Sequence, residues 1–220
     1  MSKVTAFEFF FSFYGLILGL SVAVMATGAA RAFKHRKSIP IGWKTPLLAV
    51  FAALDIVTFW DSAWVSFNNA PYSYGLLVAG LVVALIYFIA ASLIFPDAED
   101  RVASMDQHFW ANKRAVLLLL VLTNLLMTGA TIWMKWGQAD ATHLLLIYGQ
   151  NQLLYLALIV PAALTRRAWL FATTVGLHVA IYIALAALSI ALPQRMAANS
   201  LNEASSPVTA STTPSQPAAP

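Results

Sequence analysis

Hydrophobic residues in this chain run in long unbroken blocks, and six such blocks are separated by short polar breaks. Each block is about 20 residues long, enough for a helix rising 1.5 Å per residue to cross a hydrocarbon layer of about 30 Å. The blocks predict membrane spans at 7–29, 45–67, 73–95, 115–134, 143–164 and 168–192. The expected fold is therefore all-α: a polytopic integral membrane protein with six transmembrane helices within residues 1–193.

The breaks carry their own signals. RAFKHRKSIPIGWK (31–44) is basic and contains Pro40 and Gly42, SFNNAPYS (66–73) reads as a polar turn, Pro96 stops the third span, and TRR (165–167) leaves only a tight hairpin. The connection 97–114 places Val102, Met105 and Phe109 at helical spacing, which predicts a short helix on the membrane surface or a solvated linker. Residues 194–220 are rich in Ser, Thr, Pro and Ala, lack an apolar anchor, and are expected to be disordered.

Composition agrees with this reading. Of 220 residues, 60% are hydrophobic and 10% charged, with a mean hydropathy of +0.73. A soluble domain is about a quarter charged, so this chain could not present a wetted surface. The net charge of +4 would suggest nucleic acid in a soluble protein, but here the basic residues crowd into short connections, and no nucleic-acid partner is expected. Arg31, Lys34, Arg36, Lys37, Lys44, Arg101, Lys113, Arg114, Arg166 and Arg167 fall on one side of the predicted topology, and only Lys3, Lys135 and Arg195 on the other. Positive charge collects on the cytoplasmic side, so both termini are expected on the non-cytoplasmic side of an inner (plasma) membrane. Before the first span only Lys3 is basic and Glu8 follows, the reverse of a cleavable leader's charge order, so this segment is expected to remain as a span.

Between lipid-solvated helices, packing depends on close backbone approach. Three ladders of small residues offer it: Gly15, Gly19, Ala23 and Thr27; Gly75 and Ala79 with Gly80 and Ala84; Ala172, Gly176, Ala180 and Ala184. They are expected to be internal seams, with a homo-oligomer or a membrane-complex partner as the other use. At an offset of 101 residues, Thr27, Gly28 and Ala29 fall on Thr128, Gly129 and Ala130, and Gly75 and Ala79 fall on Gly176 and Ala180. Such a repeat would divide the six spans into two inverted three-helix halves.

The chemistry lies in polar groups inside the spans. AALDIVTFWDSAW (52–64) carries Asp55 and Asp61, with Thr58 between them. An ionised acid at the bilayer centre costs at least about 2.5–3.5 kcal/mol, so such residues face a bundle interior and are functional candidates by default. Asp55, Asp61 and His178 are the candidate proton- or ion-binding groups, with Thr58, Asn124, Gln150, Gln152, Thr174 and Tyr182 expected to line a shared cavity. The competing role is structural, with the same groups serving as interhelical hydrogen bonds.

Other chemistries are disfavoured. There is no cysteine, so disulfides and thiolate sites are excluded. No nucleotide-binding, metalloprotease or serine-hydrolase motif occurs, no lysine lies inside a predicted span, and His178 is the only histidine at mid-span. No cofactor and no metal are expected, and no catalytic constellation is legible. The function expected is that of a proton- or cation-linked transporter or permeation protein, or alternatively a non-catalytic membrane subunit, sensor or scaffold.

Overall fold

The computed structural model describes residues 4–67, 73–97, 104–136 and 141–191. They form six helices: α1 (Val4–Lys34), α2 (Lys44–Phe67), α3 (Tyr74–Ser92), α4 (Met105–Lys135), α5 (Ala141–Leu164) and α6 (Ala168–Ala191). All six are long and apolar enough to cross a membrane. The tail 194–220, the turn residues 68–72, Val102 and the side chain of Glu8 lie outside the described residues.

The helix ends follow from local chemistry. Ser73 and Ser104 stand in extended conformation just before α3 and α4, and their hydroxyls accept from the backbone N–H of Leu76 (3.1 Å) and Gln107 (3.2 Å). Each thereby satisfies one of the donors a helix start leaves open. Pro46 lies in the first turn of α2, where its missing N–H costs nothing.

The chain divides into two units, Met1–Tyr182 and Ile183–Pro220; of the second, the described residues are the last turns of α6. In the first unit α1 packs closest to α3 and α4 closest to α5, with α3 and α2 also meeting α4. That pattern does not reproduce the expected repeat, because the first half pairs its outer helices and the second half its first two. Phe51, Tyr87, Val116, Leu117, Ile159, Phe171 and Val175 form the centre of the core. Outward faces are as apolar as the inside: Leu16, Val57, Val65, Leu146, Leu153 and Trp169 are all exposed. Water would not tolerate such a surface, and a lipid bilayer is the solvent that fits it.

The connection 97–114 departs from expectation. From Met105 onward it belongs to α4, one continuous helix of 31 residues, and Met105 and Phe109 are buried in the core. Their helical spacing was the signal for a surface helix; the same spacing turns both inward, and the ring centroid of Phe109 lies 4.8 Å from that of Phe171. Polar bonds fix this end of α4. Lys44 is ion-paired and hydrogen-bonded to Asp106, and His108 Nε2 lies 3.1 Å from the carbonyl oxygen of Leu93.

The small-residue ladders serve unequally. A Cβ on Gly15 would collide with the ring of Trp60, and one on Gly80 with the ring of Tyr14, whose hydroxyl donates to Leu77 O at 2.8 Å. These two glycines seat aromatic rings between α1, α2 and α3. Gly19 and Gly176 have nothing within 4 Å of a Cβ position, and Ala180 is exposed, so the expected seam on α6 is not an internal one. Gly28, outside the residues singled out for packing, is a tight contact: a Cβ there would lie 2.6 Å from Phe95 Cβ. Gly28→Ala is expected to destabilise the bundle by about 1–3 kcal/mol through overpacking. Gly19→Ala should cost nothing. Parallel unfolding titrations in detergent would show the contrast, and equal midpoints would refute the assignment.

Candidate functional site

Asp55 is the twelfth residue of the 24-residue α2 and is 2% exposed. Three phenols from three other helices converge on its carboxylate. Tyr87 of α3 donates to Oδ2 at 3.0 Å, while Tyr155 of α5 and Tyr182 of α6 donate to Oδ1 at 3.1 and 2.8 Å. A carboxylate offers about four acceptor directions, so three donors leave one, on Oδ2. Burial makes these bonds necessary, because a charge or lone pair without a partner at this depth would be costly.

His178 is 5% exposed, one turn before Tyr182 on α6. Its ring is held edge-on by three aromatic rings: Phe51 at 5.6 Å, Tyr155 at 5.1 Å and Tyr182 at 4.6 Å between centroids. Phe51 in turn lies one turn before Asp55 on α2. The imidazole is therefore enclosed by the residues that surround the carboxylate, and its Nδ1 has no hydrogen-bond partner. Among the described hydrogen bonds the phenols, and not the imidazole, take the Asp55 oxygens.

The other candidates fall in different places. Asp61 is exposed on the outside of α2, some 240° around the helix from Asp55 at 100° per residue, so the structure does not bring the two acids together. Gln150 is exposed; Thr58 and Asn124 are half-buried; Thr174 is half-buried and spends its hydroxyl on Leu170 O at 2.8 Å. Gln152, 9% exposed, accepts from Thr128 of α4 at 2.8 Å and keeps an unpartnered Nε2. A turn further along, Lys135 donates to the Tyr148 hydroxyl at 2.8 Å. Tyr148, Gln152 and Tyr155 thus form a polar file along α5 that ends at Asp55.

The carboxylate is buried and bonded to three phenols, and neither cavity described below is lined by Asp55, Asp61 or His178. A lateral cavity of about 410 Å³ is lined by apolar residues such as Phe11, Tyr14, Phe59, Trp60 and Met127, and includes none of the candidate polar groups. Among the described residues no cluster of three His, Cys, Asp or Glu side chains could hold a metal ion.

Three participants are absent from the candidates read in the sequence: Tyr155, Tyr87 and Lys113. Tyr87 is the only hydroxyl in LLVAGLVVALIYFIAA, a signal that was available. Lys113, counted there only as a topogenic charge, is 3% exposed; its ammonium donates to Ala162 O (2.6 Å), Ala163 O (3.2 Å) and Thr165 O at the end of α5.

Fold and site together define a multi-pass helical membrane protein built around a buried, tyrosine-clasped carboxylate. No protein family model, no curated protein and no solved structure matches the chain.

Proposed function

We propose that this protein is a proton-linked transporter or permeation protein of the inner membrane, with both termini on the non-cytoplasmic side and Asp55 as its proton-binding group. The observation that carries the proposal is one mid-span carboxylate receiving three phenols from three helices, with one acceptor direction left. Hydroxyl hydrogens aimed at a carboxylate suit a proton, which can add to the remaining lone pair. They oppose a metal cation, which would have to displace them. Protonation removes the charge that makes the three bonds strong, so the proton state of Asp55 sets how firmly α2, α3, α5 and α6 hold together. Transport requires this contact to part. His178, with a buried and unpartnered Nδ1, is the neighbouring proton acceptor, and the polar positions Tyr148, Gln152 and Tyr155 along α5, though not bonded to one another, support a proton path toward Asp55.

In vesicles containing the reconstituted chain and a trapped pH dye, wild type should dissipate an imposed proton gradient, and Asp55→Asn should reduce the rate at least about tenfold, the scale of losing a proton-transfer group. Equal, background-level rates in both would remove the proposal.

The burial of the carboxylate with three phenol partners favours a second function, a non-transporting subunit, sensor or scaffold in which the clasp only holds the bundle. A stoichiometric complex recovered from native membranes, with Asp55→Asn harmless to function, would select it.

A further inference from the structure

Where α5 ends and α6 begins, the bundle holds a second cavity, about 620 Å³ in volume, with Trp110, Lys113, Arg114, Thr165 and Arg166 among its walls. Lys113 contributes charge but no free donor, since its ammonium is committed to the α5 carbonyls. Arg114 and Arg166 are exposed, and among the described residues no carboxylate pairs with either. The nearest acid along α4, Asp106, is already engaged by Lys44. Immediately after Arg166 and Arg167, α6 starts at Ala168, and the first amides of a helix carry partial positive charge and point outward. Two guanidiniums and a buried ammonium therefore face one cavity, and among the described residues no carboxylate lines it or pairs with either arginine.

The surroundings identify the kind of oxyanion. Trp110 is half-buried in the wall, and Leu164, also in the wall, is exposed beside it at the end of an apolar helix. An indole at the end of a span marks the membrane–water boundary, where phosphate groups of lipids lie. We propose that this cavity binds the phosphate headgroup of an anionic phospholipid, with Arg114 and Arg166 clasping the phosphate and Trp110 packed against the glycerol region. Arginine forks suit a phosphodiester because they can donate two parallel hydrogen bonds. Basic pockets between helices at the membrane surface are a recognised mode of lipid recognition. The site is separate from Asp55 and does not depend on transport.

The test uses the full chain purified in mild detergent and mixed with phosphatidylglycerol and phosphatidylcholine, with retained lipid read by native mass spectrometry. Wild type should retain phosphatidylglycerol at least about tenfold over phosphatidylcholine, as two arginines at a surface would give. Arg114→Gln/Arg166→Gln should abolish that preference. Arg36→Gln/Lys37→Gln removes the same charge from the exposed α1–α2 connection and should preserve it. Arg166→Gln alone, at an exposed loop position, repeats the test with least risk to folding. The same preference in all variants, or an equal fall in both double variants, overturns the site. Binding of inorganic phosphate with the same arginine dependence, without lipid retention, overturns the lipid assignment.

Discussion

Asp55→Ala is expected to destabilise the bundle by about 2–5 kcal/mol, because interhelical hydrogen bonds in membranes contribute roughly 0.6 to 1.7 kcal/mol each and this change removes three. The cost does not end with the lost bonds. The hydroxyls of Tyr87 and Tyr155 are buried and have no other acceptor of comparable strength, so the variant leaves polar groups stranded in the core. Asp55→Asn should be milder, near 1 kcal/mol, since its amide oxygen still accepts and the hydroxyl of Tyr87 can turn to accept from its nitrogen. Unfolding in a denaturing detergent titration would read both. A cycle combining Asp55→Ala with Tyr182→Phe should be strongly non-additive, because both remove the 2.8 Å bond. Additive losses, or an alanine variant as stable as wild type, would show that the clasp does not hold the helices.

Lys113→Met should destabilise by about 3 kcal/mol or more, while keeping the aliphatic stem and its volume. The ammonium is the shared donor for three carbonyls where α5 runs out of amide partners, and hydrogen bonds from a charged donor are worth about 1.5–3 kcal/mol each before non-additivity. It also lies 5.1 Å from the centroid of the Trp110 ring, a contact the variant loses. Lys113→Arg should not restore the native state, because a planar fork does not fit a pocket shaped for a compact charge. Hydrogen exchange offers a local readout: amides 165–169, at the α5–α6 junction, should exchange faster in Lys113→Met. Unchanged exchange and an unchanged unfolding midpoint would refute the clamp.

How much of this was legible beforehand depends on the residue. Asp55 could be found because an acid in the middle of an apolar block stands out against its neighbours. His178 and Tyr182 followed from their spacing of four on the last helix. Asp61 shows what position along α2 leaves open: facing depends on rotation, and six residues turn a helix well away from where it started. Tyr87 was missed because a single hydroxyl among aliphatic residues says nothing about which carboxylate it will meet 32 positions away. The bonds made by Lys113 were not legible because a basic residue at a span end can mark topology, cap a neighbouring helix, or do both, and sequence alone does not separate these uses.

The sequence by itself determined the solvent, the all-helical class and the number of long apolar helices. Those follow from local properties: the cost of burying backbone polar groups in lipid forces helices, and apolar run length sets where each can lie. Only the tertiary structure decided which faces of those helices meet. In lipid the outward and inward faces are equally apolar, so no amphipathic pattern announces the core; Leu153 points outward and Ile159 inward from the same α5. Rotation about each helix axis is settled instead by a few contacts between distant residues, such as a glycine under an indole, an ammonium on three carbonyls and three phenols on one carboxylate.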